Sequence, residues 1–183
     1  MNTFALPTQA EYPPYYENYI SKLTESNYSE LVLQQIERLK KFLSSQPEGW
    51  ENKPYARDKW SPKEVIGHCL DTERIMTFRA LCIARGDKNS FPGFDQDPYV
   101  EEGKFKEVPQ ELLLADFENQ RRALLSLIRT LPAGSFEKMG MANGNSMSTR
   151  ALFWIIPGHF EHHFHILPTL LLSTSFLRAP VGF

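Results

Sequence analysis

Residues 60–86, WSPKEVIGHCLDTERIMTFRALCIARG, decide the fold because they combine a strong helix start with a long amphipathic pattern. Ser61 is a typical N-cap, Pro62 suits the first helical position, and Glu64 stands where a capping box needs it, three residues after the cap. Gly86 is a typical residue just past a helix end. We therefore predict one long helix over this stretch.

The inward face of this helix follows from the spacing of three and four residues between apolar positions. It comprises Val65, His68 or Cys69, Thr72, Ile75 or Met76, Arg79 and Ile83. His68 is therefore predicted to lie in the interior.

Three further segments have a helical period. They are 29–46, ending before Pro47, 109–131, ending before Pro132, and 150–173, opened by Ser148 or Thr149. Pro157 and Pro168 interrupt the last of these, and we expect a bend at each, since proline removes a backbone hydrogen bond and clashes with the preceding turn.

The remaining segments carry no regular period. Residues 86–108 and 133–147 are predicted to be connections, the second containing Asn143-Gly144-Asn145. Residues 1–27 are rich in Pro and Tyr and are predicted to form an N-terminal arm with a short helix at 15–23. Four long amphipathic helices with one long loop between the second and third predict a four-helix bundle.

The bulk composition fits one domain over 1–183, since 183 residues with 42% hydrophobic content can bury one core. The net charge of -2 gives no basic surface for a phosphate backbone, so no nucleic-acid partner is expected. We find no signal-like N-terminus and no apolar run of about 18 residues, so no membrane partner is expected. Cys69 and Cys82 lie on one predicted helix about 20 Å apart and cannot form a disulfide with each other. A cytoplasmic protein is therefore expected.

Residues 158–167, GHFEHHFHIL, hold four of the five histidines. His159 and His163 are four residues apart, so their rings lie on one helix face about 6 Å apart along the axis. One metal ion can bridge that gap; His162 is an alternative to His163, whereas His165 points elsewhere. His68 is the histidine left to supply a third ligand. Three imidazoles with an open position would describe a catalytic metal site, and Zn(II) and Ni(II) both suit such ligands.

Other interpretations of these residues stay open. Histidines on a helix often serve only local hydrogen bonds, and the zinc-protease signature is absent, because Glu161 is third and not second in the His159 to His163 run. The two cysteines fit core packing better than catalysis. Glu64 and Asp71 could orient His68, or serve as a helix cap and a helix-helix hydrogen bond.

Three separated motifs carry a family resemblance. They are WSPKEVIGHCLDTERIMTFRALCIARGD, PGFDQDPYV and ANGNSMSTRALFWIIPGHFEHHFHIL. In this order they resemble the DinB-like superfamily, which includes the YfiT-type proteins, and the likeness extends over 12–172. The resemblance implies an all-α, up-down-down-up four-helix bundle with a divalent metal, often nickel or zinc, held by three histidines.

Carried over residue by residue, the resemblance implies metal ligands at His68, His159 and His163, with His162 a neighbour and not a ligand. Pro157 departs from the family pattern, which usually has a small residue other than proline before the Gly-His pair. Some relatives are S-transferases that use low-molecular-weight thiols such as bacillithiol or mycothiol, and one branch isomerises maleylpyruvate with mycothiol. Homodimers, formed by helix packing, are also implied by the resemblance.

Three hypotheses for the function remain. The first is a metal-dependent enzyme that activates a thiol cosubstrate for transfer to a small electrophile; the second uses water and is a hydrolase. The third is a metal-binding or dimerising bundle without turnover, with the 91–99 loop as a partner surface. Arg79, Asp95, Gln96 and Asn143 either face a substrate cavity or cap helices and fix loops.

Overall fold

The computed structural model describes residues 5–24, 27–54, 56–57 and 59–167. Within these residues the chain forms six α-helices and three short strands. The helices are α1 (Glu17–Ile20), α2 (Tyr28–Ser44), α3 (Pro62–Ala84), α4 (Gln96–Gly103), α5 (Gln110–Thr130) and α6 (Thr149–Phe164). The long helices α2, α3, α5 and α6 pack against one another, so the predicted four-helix bundle is confirmed.

The start of α3 is built as predicted. The Ser61 hydroxyl accepts a hydrogen bond from the Glu64 backbone N–H at 3.4 Å, and the Glu64 carboxylate accepts one from the Ser61 N–H at 2.7 Å. The helix stops before Gly86, whose φ of +90° is readily adopted only by glycine. At α6 the N-cap is Ser148, which accepts from the Ala151 N–H at 3.0 Å.

The two predicted connections contain regular structure, which is a difference from the expectation. Residues 86–108 include strand β1 (Ser90–Phe91) and helix α4, and β2 (Met139–Ala142) and β3 (Asn145–Ser148) lie in or next to residues 133–147. The sheet order is β1-β2-β3, with β1 parallel to β2 and β2 antiparallel to β3. A two-residue strand carries no readable period, and its partner lies some fifty residues away in the chain, so local pattern could not reveal it.

Helix α6 lies at the centre of the bundle. All its residues from Ala151 to Phe160 are buried, and it packs closely on α3 and on α1. A helix that is buried on every side is apolar on every side, which is why ALFWIIPG has no polar face. The two hydrophobic clusters of the core both include residues of this helix.

Helix α6 continues through Pro157 because neighbouring side chains supply what proline removes. Proline has no N–H for the carbonyl of Phe153, four residues back. The Tyr28 hydroxyl donates to that carbonyl at 2.9 Å. The Pro157 carbonyl itself accepts from Gln35 Nε2 at 3.0 Å. Pro168 and the predicted continuation of the helix to residue 173 lie outside the described residues.

The N-terminal segment packs against the bundle. It forms 3-10 turns at Gln9–Glu11 and Pro14–Tyr16 followed by α1, which is shorter than the helix predicted at 15–23. Its apolar side chains Tyr12, Tyr16, Tyr19, Ile20 and Leu23 are buried. The Glu11 carboxylate accepts two hydrogen bonds from Arg150 at 2.6 Å and one from the Ser148 hydroxyl at 2.8 Å. The segment is thereby fixed to the start of α6.

We expect the E11Q variant to be destabilised in a pH-dependent manner. Burial alone would raise the pKa of Glu11, but hydrogen bonds from Arg150, Thr8 and Ser148 outweigh it and lower the pKa from 4.5 to about 2. Because the pKa of Glu11 is lower in the folded than in the unfolded state, its ionised carboxylate stabilises the fold at pH values above 4.5. This stabilisation is lost as the pH falls from 4.5 towards 2. Thermal or urea unfolding should show E11Q about 2–3 kcal/mol less stable at pH 7, with a shrinking difference below pH 4.5. A constant difference across this range, or an equal loss in the exposed control E48Q, would contradict the assignment.

Among the described residues, no helix combines the length and the apolar character that crossing a membrane requires.

Candidate metal centre

Three of the histidines singled out from the sequence lie together. His68 comes from α3, and His159 and His163 come from successive turns of α6. The Nε2 atom of His159 lies 3.1 Å from the Nε2 atoms of both His68 and His163. One ring nitrogen from each of the three lies within 4.8 Å of the others, close enough for all three to hold one metal ion.

Electrostatics favour neutral imidazoles at this cluster. Burial lowers the pKa of His68 to about 4. Burial, with the charges of His68 and His162, lowers the pKa of His163 to about 3. Burial and the neighbouring histidines hold the pKa of His159 well below its ordinary value. Neutral imidazole is the form that binds a metal, and three lone-pair donors facing one another are stabilised by a cation between them. The donor set therefore fits a divalent ion.

Close packing of α6 and two aromatic side chains hold the histidine rings in place. At Gly158, a Cβ atom would lie 2.6 Å from the Tyr19 carbonyl oxygen, so α6 approaches α1 more closely than any other residue would allow. The Tyr19 ring then lies edge-on to the His159 ring, with centroids 5.3 Å apart. The Trp60 ring, from just before α3, lies with its centroid 4.9 Å from that of the His68 ring. These two aromatic side chains limit the rotation of the histidine rings.

A buried carboxylate holds the turn of α6 between His159 and His163. Glu161 accepts hydrogen bonds from Gln35 Nε2 at 2.8 Å and from Arg38 Nη1 at 2.6 Å, both on α2. The network fixes the rotation of α6 about its axis, which decides where both histidines point. These residues, together with Tyr19 and Trp60, were missed from the sequence because their contacts join distant parts of the chain.

The other candidates from the sequence lie elsewhere. His162 packs its ring against Tyr19 and is outside the group of three nitrogens, and His165 is exposed. Glu64 is engaged in the α3 cap and in an ion pair with Lys106 at 3.1 Å. Asp71 pairs with Arg74 of its own helix at 3.5 Å.

Neither cysteine forms a disulfide. Burial raises the pKa of the Cys69 thiol to about 12, which removes its nucleophilic form near neutral pH. The packing interpretation of Cys69 therefore holds.

In the part of the chain that the structure describes, two cavities border the histidine cluster. A cavity of about 210 Å³ is lined by His68 and His159, and a second of about 340 Å³ by His163 and Trp60. Gln96 lines both. The first cavity is also lined by the other polar residues singled out from the sequence, Arg79, Asp95 and Asn143.

Three of these residues also have the local roles that were the alternative interpretation. The Asp95 carboxylate accepts from the Asp97 N–H at 3.2 Å at the start of α4. Asn143 forms the hairpin turn between β2 and β3, with a φ of +51°. Arg79 donates to the Pro92 carbonyl at 2.5 Å.

Comparison with solved structures identifies relatives of this fold. YfiT from Bacillus subtilis, described as a probable metal-dependent hydrolase with an unusual four-helix bundle topology, superposes with a TM-score of 0.73 at 15% identity, over 90% of this chain and 94% of that one. A mycothiol-dependent maleylpyruvate isomerase superposes with a TM-score of 0.61 at 13% identity, over 85% of this chain and 69% of that one. At such identities the likeness concerns the fold. No curated protein matches the sequence.

The sequence itself carries the family assignment. The model of the DinB superfamily matches residues 31–167, which include all four bundle helices except the first three residues of α2 and contain all five histidines. The chain belongs to the DinB superfamily.

Proposed function

We propose that this protein is a divalent-metal-dependent enzyme that activates a low-molecular-weight thiol for transfer to a small electrophile. His68, His159 and His163 are the metal ligands in this proposal. The observation that carries it is the convergence of three imidazoles, two buried and one half-buried, beside two cavities of the described structure. Zinc and nickel are the ions that such ligands favour.

A bound divalent ion would supply a Lewis acid that lowers the pKa of a thiol into the physiological range. The chain contributes the geometry. Tyr19 and Trp60 hold the imidazole planes of His159 and His68, and the Glu161 network fixes α6. The thiol gives its proton to solvent, its sulfur forms a bond to the electrophilic carbon, and the leaving group departs with its electron pair.

The two cavities favour a reaction of two organic substrates over hydrolysis. One opens on His68 and His159 and the other on His163, with Gln96 between them. A hydrolase needs a cavity for one organic substrate, since its second reactant is water. Two cavities on different sides of one cluster suit a thiol and an electrophile that meet there.

We expect the zinc- or nickel-loaded protein to accelerate conjugation of monochlorobimane with a low-molecular-weight thiol. Bacillithiol, mycothiol, cysteine and glutathione would be compared, and fluorescence of the bimane adduct would be followed. Removing the metal with a chelator, or replacing His159 with alanine, should return the rate to that of the uncatalysed reaction. The control H165A, which alters an exposed histidine of the same segment, should retain the rate.

Two outcomes would contradict the proposal. Metal-dependent hydrolysis of an ester or amide panel without thiol consumption would make the protein a hydrolase. A metal-loaded protein inactive with every thiol and every ester would indicate a non-catalytic metal-binding bundle.

A further inference from the structure

Arg79 is unusual among the arginines that the described part of the chain buries. Its side chain is 4% exposed, yet its hydrogen bonds are to the Pro92 carbonyl and, at 3.9 Å, to the sulfur of Met76. Arg121 and Arg150 each pair with a carboxylate, Glu73 and Glu11 respectively. The Phe94 ring lies 5.9 Å from the guanidinium carbon of Arg79, but these neutral contacts replace only part of the hydration that a buried charge loses.

Other unsatisfied donors line the same cavity. The Thr72 hydroxyl is buried and has no hydrogen-bond partner. Tyr16 is also buried, and its hydroxyl makes no hydrogen bond to the described residues. Arg79, Thr72 and Tyr16 line the cavity of about 210 Å³ together with His68 and His159. The polar side of this cavity therefore offers hydroxyl donors and one positive charge that has no carboxylate partner among the described residues.

The acidic residue of the lining does not neutralise that charge. Asp95 is exposed, and its carboxylate is engaged by the Asp97 N–H as the cap of α4. No carboxylate of the described residues lies within ion-pair distance of Arg79, whereas the other buried or half-buried arginines have one. Arg79 thus lines the cavity without a carboxylate partner among the described residues.

We propose that Arg79, with the hydroxyls of Thr72 and Tyr16, binds the carboxylate of a small organic acid that occupies this cavity. This inference rests on the proposed function, in which two reactants meet at the histidine cluster, and it identifies one of them as a carboxylic acid. A planar guanidinium matches a carboxylate with two parallel hydrogen bonds, and the hydroxyls can donate to the remaining lone pairs.

The acid would extend along α3 from Arg79 towards the histidine cluster. Arg79 and His68 are eleven residues apart on α3, about 16 Å along the helix axis, and both line the same cavity.

The test uses binding to metal-free protein, so it does not depend on catalysis. Hexanoate and hexanamide would be titrated into the chelator-treated, ¹⁵N-labelled protein and followed by NMR chemical shifts. We expect hexanoate to bind at least about tenfold tighter than hexanamide, because the uncharged amide cannot form the ion pair. R79M should abolish this preference, R79K should retain part of it, and T72V should weaken hexanoate binding severalfold.

The matched control is R85M, which removes the same charge from an exposed position one residue after α3. It should leave both affinities unchanged. Equal affinities for hexanoate and hexanamide, or an equal loss in R85M and R79M, would overturn the proposal. Should R79M fail to fold, R79K and T72V decide the outcome. Because no metal is present, failure of metal binding or of thiol transfer would leave a positive hexanoate result standing.

Discussion

Replacing His159 with alanine is expected to abolish stoichiometric binding of a divalent ion. The wild-type protein, stripped by a chelator and reloaded with Zn(II) or Ni(II), should retain one ion per chain after dialysis. His159 is central to the cluster, since its Nε2 lies 3.1 Å from both other ring nitrogens. Loss of an outer hydrogen-bond partner alone weakens metal binding about 10–100-fold, so loss of a ligand should exceed about 100-fold. Calorimetric titration and elemental analysis measure both quantities.

Thermal unfolding gives a second measurement of the same site. A ligand that binds only the folded state stabilises it by about 2.7 kcal/mol at a free concentration of 100 times Kd. The wild-type Tm should therefore rise with added metal, and the H159A Tm should not. H68A and H163A should behave like H159A.

Two matched variants separate this site from general metal binding by histidine. H165A removes an exposed imidazole, and H162A removes one that packs on Tyr19 outside the group of three nitrogens. Both should bind one ion with wild-type affinity. Full retention of metal by H159A, or a loss in H162A as large as in H159A, would show that the ligands are not these three residues.

The sequence predicted the long helices well because their signals are local. The Ser61 and Glu64 cap lies within four residues, and an apolar period is readable wherever one helix face is buried. The hairpin at Asn143 and Gly144 had a local signal too, since Asn-Gly between short strands favours a two-residue turn with positive φ at both positions. The strands beside it, four residues each and only partly buried, are too short for a strand pattern to be read from the sequence.

The candidate site could be predicted only in part, for a physical reason. His159 and His163 are paired by helix geometry, which is fixed by sequence spacing. The approach of His68, 91 residues away from His159, depends on how α3 packs on α6, and spacing cannot supply that. The positions of Tyr19 and Glu161 beside the histidines could not be predicted from sequence spacing either. Their role follows from the close approach at Gly158 and from side chains on α2, which no local pattern encodes.

Removing one partner of the buried ion pair between Arg121 and Glu73 should have the largest effect on stability. Arg121 Nε lies 2.8 Å from Glu73 Oε2, and the two side chains are 1% and 3% exposed. The two atoms lack hydrogen-bond geometry, so their attraction is mostly coulombic. R121M should cost about 3–5 kcal/mol, because it leaves a buried carboxylate without its counter-charge.

The pH dependence of R121M has a defined sign. Burial raises the pKa of Glu73, and Arg121 opposes that rise, so the pKa should climb further in the variant. When the pKa of a carboxyl group is higher in the folded than in the unfolded state, the protein loses stability as the pH rises towards that higher pKa. The difference in unfolding free energy between the wild type and R121M should therefore be larger at pH 8 than at pH 5. Urea unfolding at the two pH values measures this.

The double variant E73L/R121M tests whether the pair stabilises the fold or only compensates for its own burial. Apolar side chains of similar volume often replace a buried ion pair without loss, so most of the stability should return. The control R122M removes an exposed arginine that pairs with Glu118 at 2.7 Å on the same helix, and it should cost less than about 0.5 kcal/mol. A double variant as unstable as R121M would instead show that the ion pair is itself required.

The same arginine connects the core to the histidine cluster. Arg121 Nη1 donates to Gln35 Oε1 at 2.9 Å, and the amide nitrogen of Gln35 donates to Glu161 and to the Pro157 carbonyl. Without Arg121 the Gln35 amide oxygen loses its donor, and the turn of α6 between His159 and His163 loses one of its constraints. R121M should therefore bind metal about tenfold more weakly even where it is fully folded, and E73L/R121M should recover stability but not this affinity. Wild-type metal affinity in R121M would mean that Gln35 is held in place without it.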